Sequence, residues 1–381
     1  MSKVTLGQVA TEVRESTKDP AGLPIVGLEH LIPGEIRLTQ WSETSENTFT
    51  KLFHKGQVLF GRRRAYQKKA AVADFDGVCS GDITVIAAKP DRLLPDLLPF
   101  IVNDDRFFDF AMEKSAGSLS PRVKWAQLAE YAFDLPDDIE EQRSHAKLLW
   151  AIERSRSAYQ NLLSQMDELV KSQFVEMFGD PRENPNGYKK VELSNVSEIM
   201  SGITKGRKPK TPVLRTVPYL CTANVQNGFL DWTETKHIDA TEDEIVQYSL
   251  LADDVLMIEG GDPDKVGRGC LAGTTPEDCI FQNHVFRVRT NKAELIPQFL
   301  ALYILLPSTK EYFLNCAKQT TGIATINKKQ LSSLMVVCPP VAAQAEYIRF
   351  AEQTDKSKLA IRQALESLEK SRSAIITKVF G

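Results

Sequence analysis

The chain has 381 residues, of which 42% are hydrophobic and 25% are charged, and its formal net charge is −3. These proportions are typical of globular proteins and exclude a chain that is disordered along its whole length. An apolar run of about 18 residues, which a membrane-spanning helix needs, does not occur. The weakly acidic balance counts mildly against nucleic-acid binding, although the distribution of charge matters more than its total.

The first third of the chain is predicted to be a mixed α/β domain. Short β-branched and apolar runs bounded by glycine or proline predict three strands, at 24–28, 56–60 and 81–86. Apolar residues at helical spacing predict a helix from Leu93 to Met112. The segment from Asp134 to Asp138 contains a proline and three acidic residues, so we expect the domain to end there and a helix to begin.

A long helix is predicted next, because residues 139–178 contain neither proline nor glycine. Its apolar residues alternate three and four apart, which is the spacing of a coiled-coil seam. The predicted seam residues are Leu148, Ile152, Tyr159, Leu162, Met166 and Leu169, and Ser155 occupies the seam position between Ile152 and Tyr159. Gly179 and Pro181 end the helix, and the turn-forming residues at 184–187 begin a new segment.

The second half of the chain repeats the first at a constant offset of 202 residues along the long helix. Gln142 matches Gln344 and Gly179 matches Gly381. Strands at 253–258 and 282–288 and a helix at 295–306 reproduce the plan of the first domain. A second long helix follows, with Phe350, Ile361, Leu368 and Ile375 on one face. A repeat of this length indicates a duplicated domain with its helix.

The repeat predicts a pseudo-twofold molecule with four segments. They are a first domain at 1–138, a long helix at 139–179, a second domain at 180–338 and a second long helix at 339–381. An amphipathic helix needs a partner for its apolar stripe, so we expect the two long helices to pack antiparallel. The alternative is that each helix folds back on its own domain. A duplicated chain suits a partner with a twofold axis, and double-stranded DNA is such a partner.

Motifs of catalytic sites are absent from the sequence. There is no phosphate-binding loop, no dinucleotide fingerprint, no nucleophile elbow and no His-Glu-x-x-His zinc motif. The six cysteines form no Cys-x-x-Cys pair, and residues 1–5 have no apolar stretch. We therefore expect a cytoplasmic binding protein with reduced thiols, no metal site and no secretory signal.

Basic residues in loops are the candidate functional residues. In the first half they are Arg62, Arg63, Arg64, Tyr66, Lys68, Lys69, Arg122 and Lys124. In the second half they are Lys205, Arg207, Lys208, Lys210, Lys265, Arg268, Lys328 and Lys329. Arginine and lysine can bind phosphates, and arginine, tyrosine and glutamine can also bond base edges. The alternative is that each run is a solvated turn.

The chain resembles the DNA-specificity subunit of type I restriction-modification systems over essentially its whole length. The residues that carry the resemblance are 25–34 (IVGLEHLIPG), 57–60 (QVLF), 175–181 (VEMFGDP), 218–228 (PYLCTANVQNG) and 282–284 (QNH). The order of these segments along the chain, and their occurrence in both halves, support the resemblance more than any one segment does.

The resemblance implies two target-recognition domains that read the two halves of a split DNA sequence. It also implies that the long helices set the unread spacer and dock methyltransferase (M) subunits, and that restriction/translocase (R) subunits complete the assembly. S-adenosylmethionine, ATP and Mg²⁺ would be used by those partners, with no cofactor and no catalysis in this chain. Two alternatives remain open: a protein–protein scaffold of a DNA-processing complex, and a stand-alone enzyme with an unfamiliar site.

Overall fold

The structure, a computed structural model of the 381-residue chain, describes residues 1–43, 48–117, 120–208, 213–263, 265–320 and 322–381. They form two compact units. Unit 1 comprises Met1–Leu162 and Ala360–Gly381, and unit 2 comprises Leu163–Leu359. Each long helix therefore contributes one part to each unit. The four-segment division into recognition domains and long helices stays a prediction.

Unit 1 is built from small, mostly antiparallel sheets. Its strands are β1 (Ser2–Thr5), β2 (Ala10–Val13), β3 (Ile25–Val26), β4 (Lys51–Phe53), β5 (Val58–Gly61), β6 (Ala70–Val72), β7 (Gly77–Cys79), β8 (Ile83–Ala88) and β9 (Ala132–Leu135). Its helices are α1 (Leu6–Val9), α2 (Leu98–Val102), α3 (Asp105–Glu113), α4 (Trp125–Leu128) and the first part of α5 (Ile139–Phe178). The largest sheet has the order β2-β8-β5-β6, beside β3-β7-β4 and β1-β9.

The three strands predicted in this half correspond to β3, β5 and β8. The single helix predicted from Leu93 to Met112 is wrong in its continuity, because it is divided into α2 and α3. Asp104 leaves the helical conformation, with ψ at 139°, and its side chain accepts a hydrogen bond from the Arg106 N–H. An aspartate that caps a helix in this way competes with continuation of the preceding one, and apolar spacing alone does not reveal this.

Unit 2 repeats this plan with additions. Its strands are β10 (Lys189–Glu192), β11 (Ser197–Ser201), β12 (Arg215–Leu220), β13 (Lys236–Ala240), β14 (Val255–Ile258), β15 (Gly260–Gly261), β16 (Gly269–Leu271), β17 (Ile280–Phe281), β18 (Val285–Thr290), β19 (Lys318–Thr320), β20 (Ile323–Thr325) and β21 (Met335–Cys338). Its helices are the end of α5, α6 (Glu242–Tyr248), α7 (Pro297–Tyr303), α8 (Pro307–Cys316), α9 (Lys328–Ser332) and the first part of α10 (Val341–Phe380).

The sheets of the two units correspond, with two differences. The order β11-β18-β14-β16 matches β2-β8-β5-β6, and the parallel pair β12 and β17 matches β3 and β7. In unit 1 the third strand of the small sheet pairs with β7, whereas in unit 2 it pairs with β12. Unit 2 also has a three-stranded sheet, β15-β20-β19, where the described residues of unit 1 have isolated bridges at Arg63–Arg122 and Ala116–Arg122.

The predicted fold class, duplicated α/β domains with two long antiparallel helices, is confirmed. In unit 1 the beginning of α5 shares a core with the end of α10, through Leu149 and Phe380. In unit 2 the end of α5 shares a core with the beginning of α10, where the Tyr347 hydroxyl donates to the Val170 carbonyl at 3.0 Å. Early residues of one helix thus meet late residues of the other. Gly179, with φ at 77°, follows the last residue of α5 in the left-handed conformation that favours glycine.

The predicted seam on α5 is wrong for three leucines. Leu148, Leu162 and Leu169 are 48%, 37% and 49% exposed, whereas Leu149 and Val170 are 0% and 9% exposed. At each of these places two adjacent residues are apolar, so heptad spacing fits either of them. The remaining predicted seam residues are buried (Ile152, Ile361) or half-buried (Tyr159, Met166, Phe350, Leu368, Ile375). A role of this set in contacts with other subunits stays a prediction.

Each long helix is attached to its neighbouring domain by a buried glutamine. In unit 1 the Gln142 side chain accepts from the Leu94 N–H and donates to the carbonyls of Arg92 and Pro136. In unit 2 Gln344 makes the corresponding three hydrogen bonds, with Ile296, Glu294 and Pro339. Both glutamines are almost completely buried, at 1% and 0% exposure. The duplication therefore includes the joint between the helix and the domain.

A buried cation also occurs at matched positions of the two helices. Arg156, 9% exposed, donates to both carboxylate oxygens of Glu153 at 2.6 and 3.0 Å and to the Gly34 carbonyl at 3.0 Å. Lys358, 7% exposed, is the counterpart of Arg156 at the offset of 202. Its ammonium lies 2.6 Å from an Asp167 oxygen of α5 and 3.0 Å from an oxygen of Asp355, the counterpart of Glu153. In unit 2 this ion pair joins the two antiparallel helices.

Candidate nucleic-acid interface

The structure brings two of the predicted basic segments of unit 1 together. Arg62–Arg64 directly follow β5, and residues 121–123 lie antiparallel to them. The Arg64 N–H donates to the Pro121 carbonyl at 2.8 Å, and the Val123 N–H donates to the Arg62 carbonyl at 3.0 Å. Arg63 and Arg122 are 59 positions apart, so the sequence hides their proximity. Arg62–Arg64 and Arg122 thus form one cluster, which we call the arginine cluster.

One carboxylate lies inside the arginine cluster. Asp82 accepts from the Arg122 Nε at 2.8 Å and from the Arg63 Nη1 at 3.3 Å. The hydrogen bond from Arg122 is the main reason that the pKa of the Asp82 carboxyl lies below its usual range, although partial burial acts in the opposite direction. Both guanidinium groups remain substantially exposed, at 38% and 47%. Because one negative charge is shared by two of the four arginines, the cluster keeps a net positive charge.

A cleft of about 550 Å³ lies beside the arginine cluster. Its charged and aromatic lining residues are Arg14, Lys51, Arg62, Lys124, Glu12, Glu15 and Trp125. The Nε of Arg62 is buried without a hydrogen-bond partner among the described residues, so this donor is not used inside the protein. Arg14 and Lys51 were not predicted, because each is an isolated cation beside a strand rather than part of a basic run.

Lys51 is held at the cleft wall by the protein itself. Its ammonium donates to the Ile83 carbonyl at 2.9 Å and lies 3.9 Å from an oxygen of Glu12. Burial lowers the pKa of the Lys51 ammonium. A partly dehydrated ammonium at the wall of a basic cleft would gain from an incoming anion, which makes it a candidate phosphate contact.

The turn after the arginine cluster contains an exposed tyrosine and two lysines that have partners within the domain. Residues 65–67 form a short 3-10 turn, in which Tyr66 is 55% exposed. Lys68 and Lys69, which were predicted as DNA contacts, have partners within the domain. The Lys68 ammonium lies 2.5 Å from an Asp105 oxygen, and the Lys69 ammonium donates to the Leu28 carbonyl at 2.7 Å. These two lysines therefore help to hold the turn, and their contact with DNA stays a prediction.

In unit 2 the first basic loop has mixed roles. Lys205 and Lys208 are exposed, and Lys210 lies outside the described residues. Arg207 binds both carboxylate oxygens of Glu244 at 2.6 and 2.8 Å and donates to the Asp239 carbonyl at 3.0 Å. This bidentate pair holds the loop against α6, and the contact of Arg207 with DNA stays a prediction.

The remaining predicted cations of unit 2 lie at the matched edge of the sheet. Lys328 and Lys329 are exposed in the first turn of α9. Lys265 forms an ion pair with Asp262, and the Arg268 carbonyl accepts from the Ile258 N–H at 3.0 Å. The Arg268 Nε, like that of Arg62, is buried without a hydrogen-bond partner among the described residues.

The two units carry different charges at the same place. Gly260 pairs with Thr325 where Arg63 pairs with Arg122 in unit 1. His284 is the counterpart of Asp82 at the offset of 202, and its Nδ1 lies 2.5 Å from an oxygen of Glu259. An arginine–aspartate arrangement is thus replaced by a histidine–glutamate pair. The two surfaces therefore present different donors and acceptors.

The described residues contain no group of three or more His, Cys, Asp or Glu that could hold a metal ion. Burial raises the pKa of the Cys79, Cys270 and Cys279 thiols to about 12, which leaves them protonated at neutral pH. In the part of the chain that the structure describes, no helix is both long and apolar enough to cross a membrane.

Comparison with known proteins gives one consistent family. Residues 185–370 match the type I restriction modification DNA specificity domain. The type I restriction enzyme EcoKI specificity subunit of Escherichia coli K12 is 26% identical over 200 residues, which are 51% of this chain and 42% of that protein. The putative type I restriction enzyme MjaX specificity subunit of Methanocaldococcus jannaschii is 21% identical over 199 residues, which are 52% of this chain and 46% of that protein. The aligned regions thus span less than half of the length of these curated relatives.

Solved structures match the fold over nearly the whole chain. A chain from a type I restriction-modification system, solved to describe complex assembly and conformational transition, aligns with a TM-score of 0.57 at 20% identity. That alignment covers 99% of this chain and 97% of the other. The type I system S subunit of M. genitalium aligns with a TM-score of 0.54 at 13% identity, over 100% and 96% of the two chains. At such identities the likeness shows the fold alone.

Proposed function

We propose that this chain, which belongs to the type I restriction-modification specificity family, recognises a split sequence in double-stranded DNA and catalyses no reaction itself. Each sheet-rich domain would read one half of the sequence. The observation that carries the proposal is the arginine cluster of unit 1, in which four arginines come together and only two of them, Arg63 and Arg122, share the carboxylate of Asp82. Exposed guanidinium groups grouped in this way bind phosphates and guanine edges.

The two half-sites should differ in sequence. The matched positions Arg63 and Gly260 present different chemistry, a guanidinium in one unit and only backbone in the other. A recognition surface built on arginine favours phosphate and guanine contacts, and removal of the side chain removes both. A duplicated protein with these substitutions would therefore bind an asymmetric target.

Partner subunits would supply the chemistry. We propose that methyltransferase subunits, and with them restriction subunits, assemble on this chain and use S-adenosylmethionine, ATP and Mg²⁺. The exposed leucines of α5 support this part of the proposal. Leu148 and Leu162 lie two heptads apart on the helix within unit 1, and 48% and 37% of their surface is exposed. Apolar side chains that recur at heptad spacing on a helix surface are typical of contacts with another helix.

The test is selection of bound duplexes from a random-sequence DNA library, using the 381-residue chain and, in parallel, its assembly with methyltransferase subunits. Recovery of a motif with two fixed halves and an unspecified spacer supports the proposal. A library that remains random in both preparations contradicts it and favours the scaffold alternative.

Substitutions in the arginine cluster then test the DNA-binding surface. Changing Arg63 or Arg64 to Ala should weaken binding to the selected duplex. Each phosphate that the variant no longer binds should lower the slope of log K against log salt by about 0.9. Arg92→Ala is the matched control, because Arg92 is exposed and lies outside the cluster. Equal salt slopes for all three variants and the unsubstituted chain would show that the cluster does not touch DNA.

A further inference from the structure

The turn that follows the arginine cluster has an unusual backbone. Arg64 and Lys68, which flank the 3-10 turn at 65–67, have φ angles of 56° and 51°. The left-handed region costs a residue with a side chain about 1–2 kcal/mol. Four residues other than glycine adopt positive φ in the described part of the chain, and two of them flank this one turn. The surrounding structure must therefore stabilise the turn against its own backbone preference.

Contacts at both ends provide that stabilisation. At one end the Arg64 N–H donates to the Pro121 carbonyl at 2.8 Å, and the Gln67 N–H donates to the Arg64 carbonyl at 2.9 Å. At the other end the Lys68 ammonium lies 2.5 Å from Asp105 at the beginning of α3. Between them Ala65 is 2% exposed and packs in the core of unit 1. The turn is thus fixed on both sides.

The turn exposes an aromatic ring and a neighbouring arginine to solvent. Tyr66 is 55% exposed, and Arg64 beside it is exposed as well. An exposed tyrosine on an ordinary flexible loop needs no explanation. A strained turn that holds the ring exposed next to Arg64 does need an explanation, because strained backbone is kept where geometry matters for function. A fixed aromatic ring in a basic surface is the arrangement by which proteins stack on nucleobases or insert between base steps.

We infer that Tyr66 stacks on a base of the half-site that unit 1 reads, with Arg64 bound to a neighbouring phosphate. Lys68 is then a positioning residue that holds the turn through Asp105 and does not itself contact DNA. This inference rests on the proposed function and adds to it a mode of contact and a division of roles within the basic run. In unit 2 the positions that match Arg63 and Arg64 are Gly260 and Gly261, and the sequence that follows them, residues 262–266, contains no aromatic residue, so the stacking contact belongs to one half-site only.

The experiment uses the 381-residue chain and a duplex recovered from the random library, with 2-aminopurine placed in turn at each adenine of both half-sites. Binding should change the fluorescence at one or two adjacent positions of one half-site, because stacking on a side chain replaces stacking on a neighbouring base. Tyr66→Phe keeps the ring and should keep the signal. Tyr66→Ala should abolish the signal and weaken binding by about 5- to 150-fold, the equivalent of a stacking contact of about 1–3 kcal/mol.

Salt dependence separates the roles of the three residues. Tyr66→Ala should leave the salt slope unchanged, whereas Arg64→Ala should lower it by about 0.9. Lys68→Asn removes the ion pair with Asp105 while keeping a residue that tolerates positive φ. It should reduce the fluorescence signal and leave the salt slope unchanged. A lower slope for Lys68→Asn would show that Lys68 binds phosphate and would overturn its assigned role.

Three different results would contradict the stacking contact or the proposed function on which it rests. Each result shows which of the two is wrong. If Tyr66→Ala binds the selected duplex with unchanged affinity and fluorescence, the inference is wrong and the proposed function stands. If the unsubstituted chain selects no motif from the library, the proposed function fails and the inference fails with it. If Tyr66→Ala impairs assembly with methyltransferase subunits but leaves DNA affinity unchanged, Tyr66 contacts a protein and the inference is wrong.

Discussion

Each long helix contains one buried cation, and a substitution of the cation in one helix serves as the control for the same substitution in the other. Arg156 and Lys358 occupy the same position of the repeat, but their carboxylate partners differ in exposure. The Glu153 side chain is 2% exposed, whereas those of Asp167 and Asp355 are 60% and 65% exposed. Replacing either cation by Met keeps an unbranched apolar stem and removes the charge. The remaining carboxylate should therefore be buried in one helix and solvated in the other.

Arg156→Met leaves the Glu153 carboxylate buried without its cation. Removing one partner of a buried ion pair costs about 3–5 kcal/mol of stability in proteins. For Lys358→Met both carboxylates remain in water, so the cost is that of breaking a mostly solvated pair, about 0–1 kcal/mol. We therefore expect the first substitution to destabilise unit 1 by at least about 2 kcal/mol more than the second destabilises unit 2.

Hydrogen–deuterium exchange of the 381-residue chain measures this difference, because peptides of each unit report its own opening free energy. Protection should fall in α5 residues before Leu163 for Arg156→Met and change little in unit 2 for Lys358→Met.

A second substitution checks the cause. Adding Glu153→Gln to Arg156→Met removes the unpaired charge and should recover most of the protection. Equal effects of Arg156→Met and Lys358→Met, or no recovery in the double variant, would refute the reasoning that burial of the carboxylate decides the cost.

Three further predictions concern the joints, the seam and the arginine cluster. Gln142→Leu and Gln344→Leu each leave a buried N–H without an acceptor, so each should lower the free energy of unfolding of its unit by about 1–3 kcal/mol, measured as faster amide exchange at the beginning of its helix. Leu149→Ala should destabilise unit 1 by about 2–5 kcal/mol, whereas Leu148→Ala should change its stability by less than about 0.5 kcal/mol; equal urea midpoints for the two variants would contradict the assigned seam. The pKa of Asp82 is lowered in the folded state from the ordinary value of 3.8, so its contribution to stability is present above that value and disappears as the pH falls through the lower folded pKa. Asp82→Asn should therefore destabilise the protein at pH 7 and do so progressively less as the pH falls below 3.8, in acid-unfolding curves followed by tryptophan fluorescence.

Several features of the candidate interface could not be predicted from the sequence. Arg62–Arg64 stand out as a basic run, but the pairing of Arg63 with Arg122 is a backbone contact between residues 59 positions apart. The ion pair of Lys68 with Asp105 likewise joins residues from separate elements. A basic run in a sequence shows charge, whereas the partners that neutralise part of that charge come from other strands and helices.

The long helices illustrate the same division. The absence of helix breakers between residues 139 and 178 and the offset of 202 residues were enough to predict α5, α10 and the duplication, since helix formation and repetition are local properties of the chain. The choice between Leu148 and Leu149 was not predictable, because both lie within one helical turn of the correct face and only packing in the core of unit 1 selects one. The sequence alone thus determined that the chain is two copies of a domain with a long helix. Only the tertiary structure decided which side chains the helices bury and which arginines remain free for a partner, because burial and charge pairing depend on residues far apart in the chain.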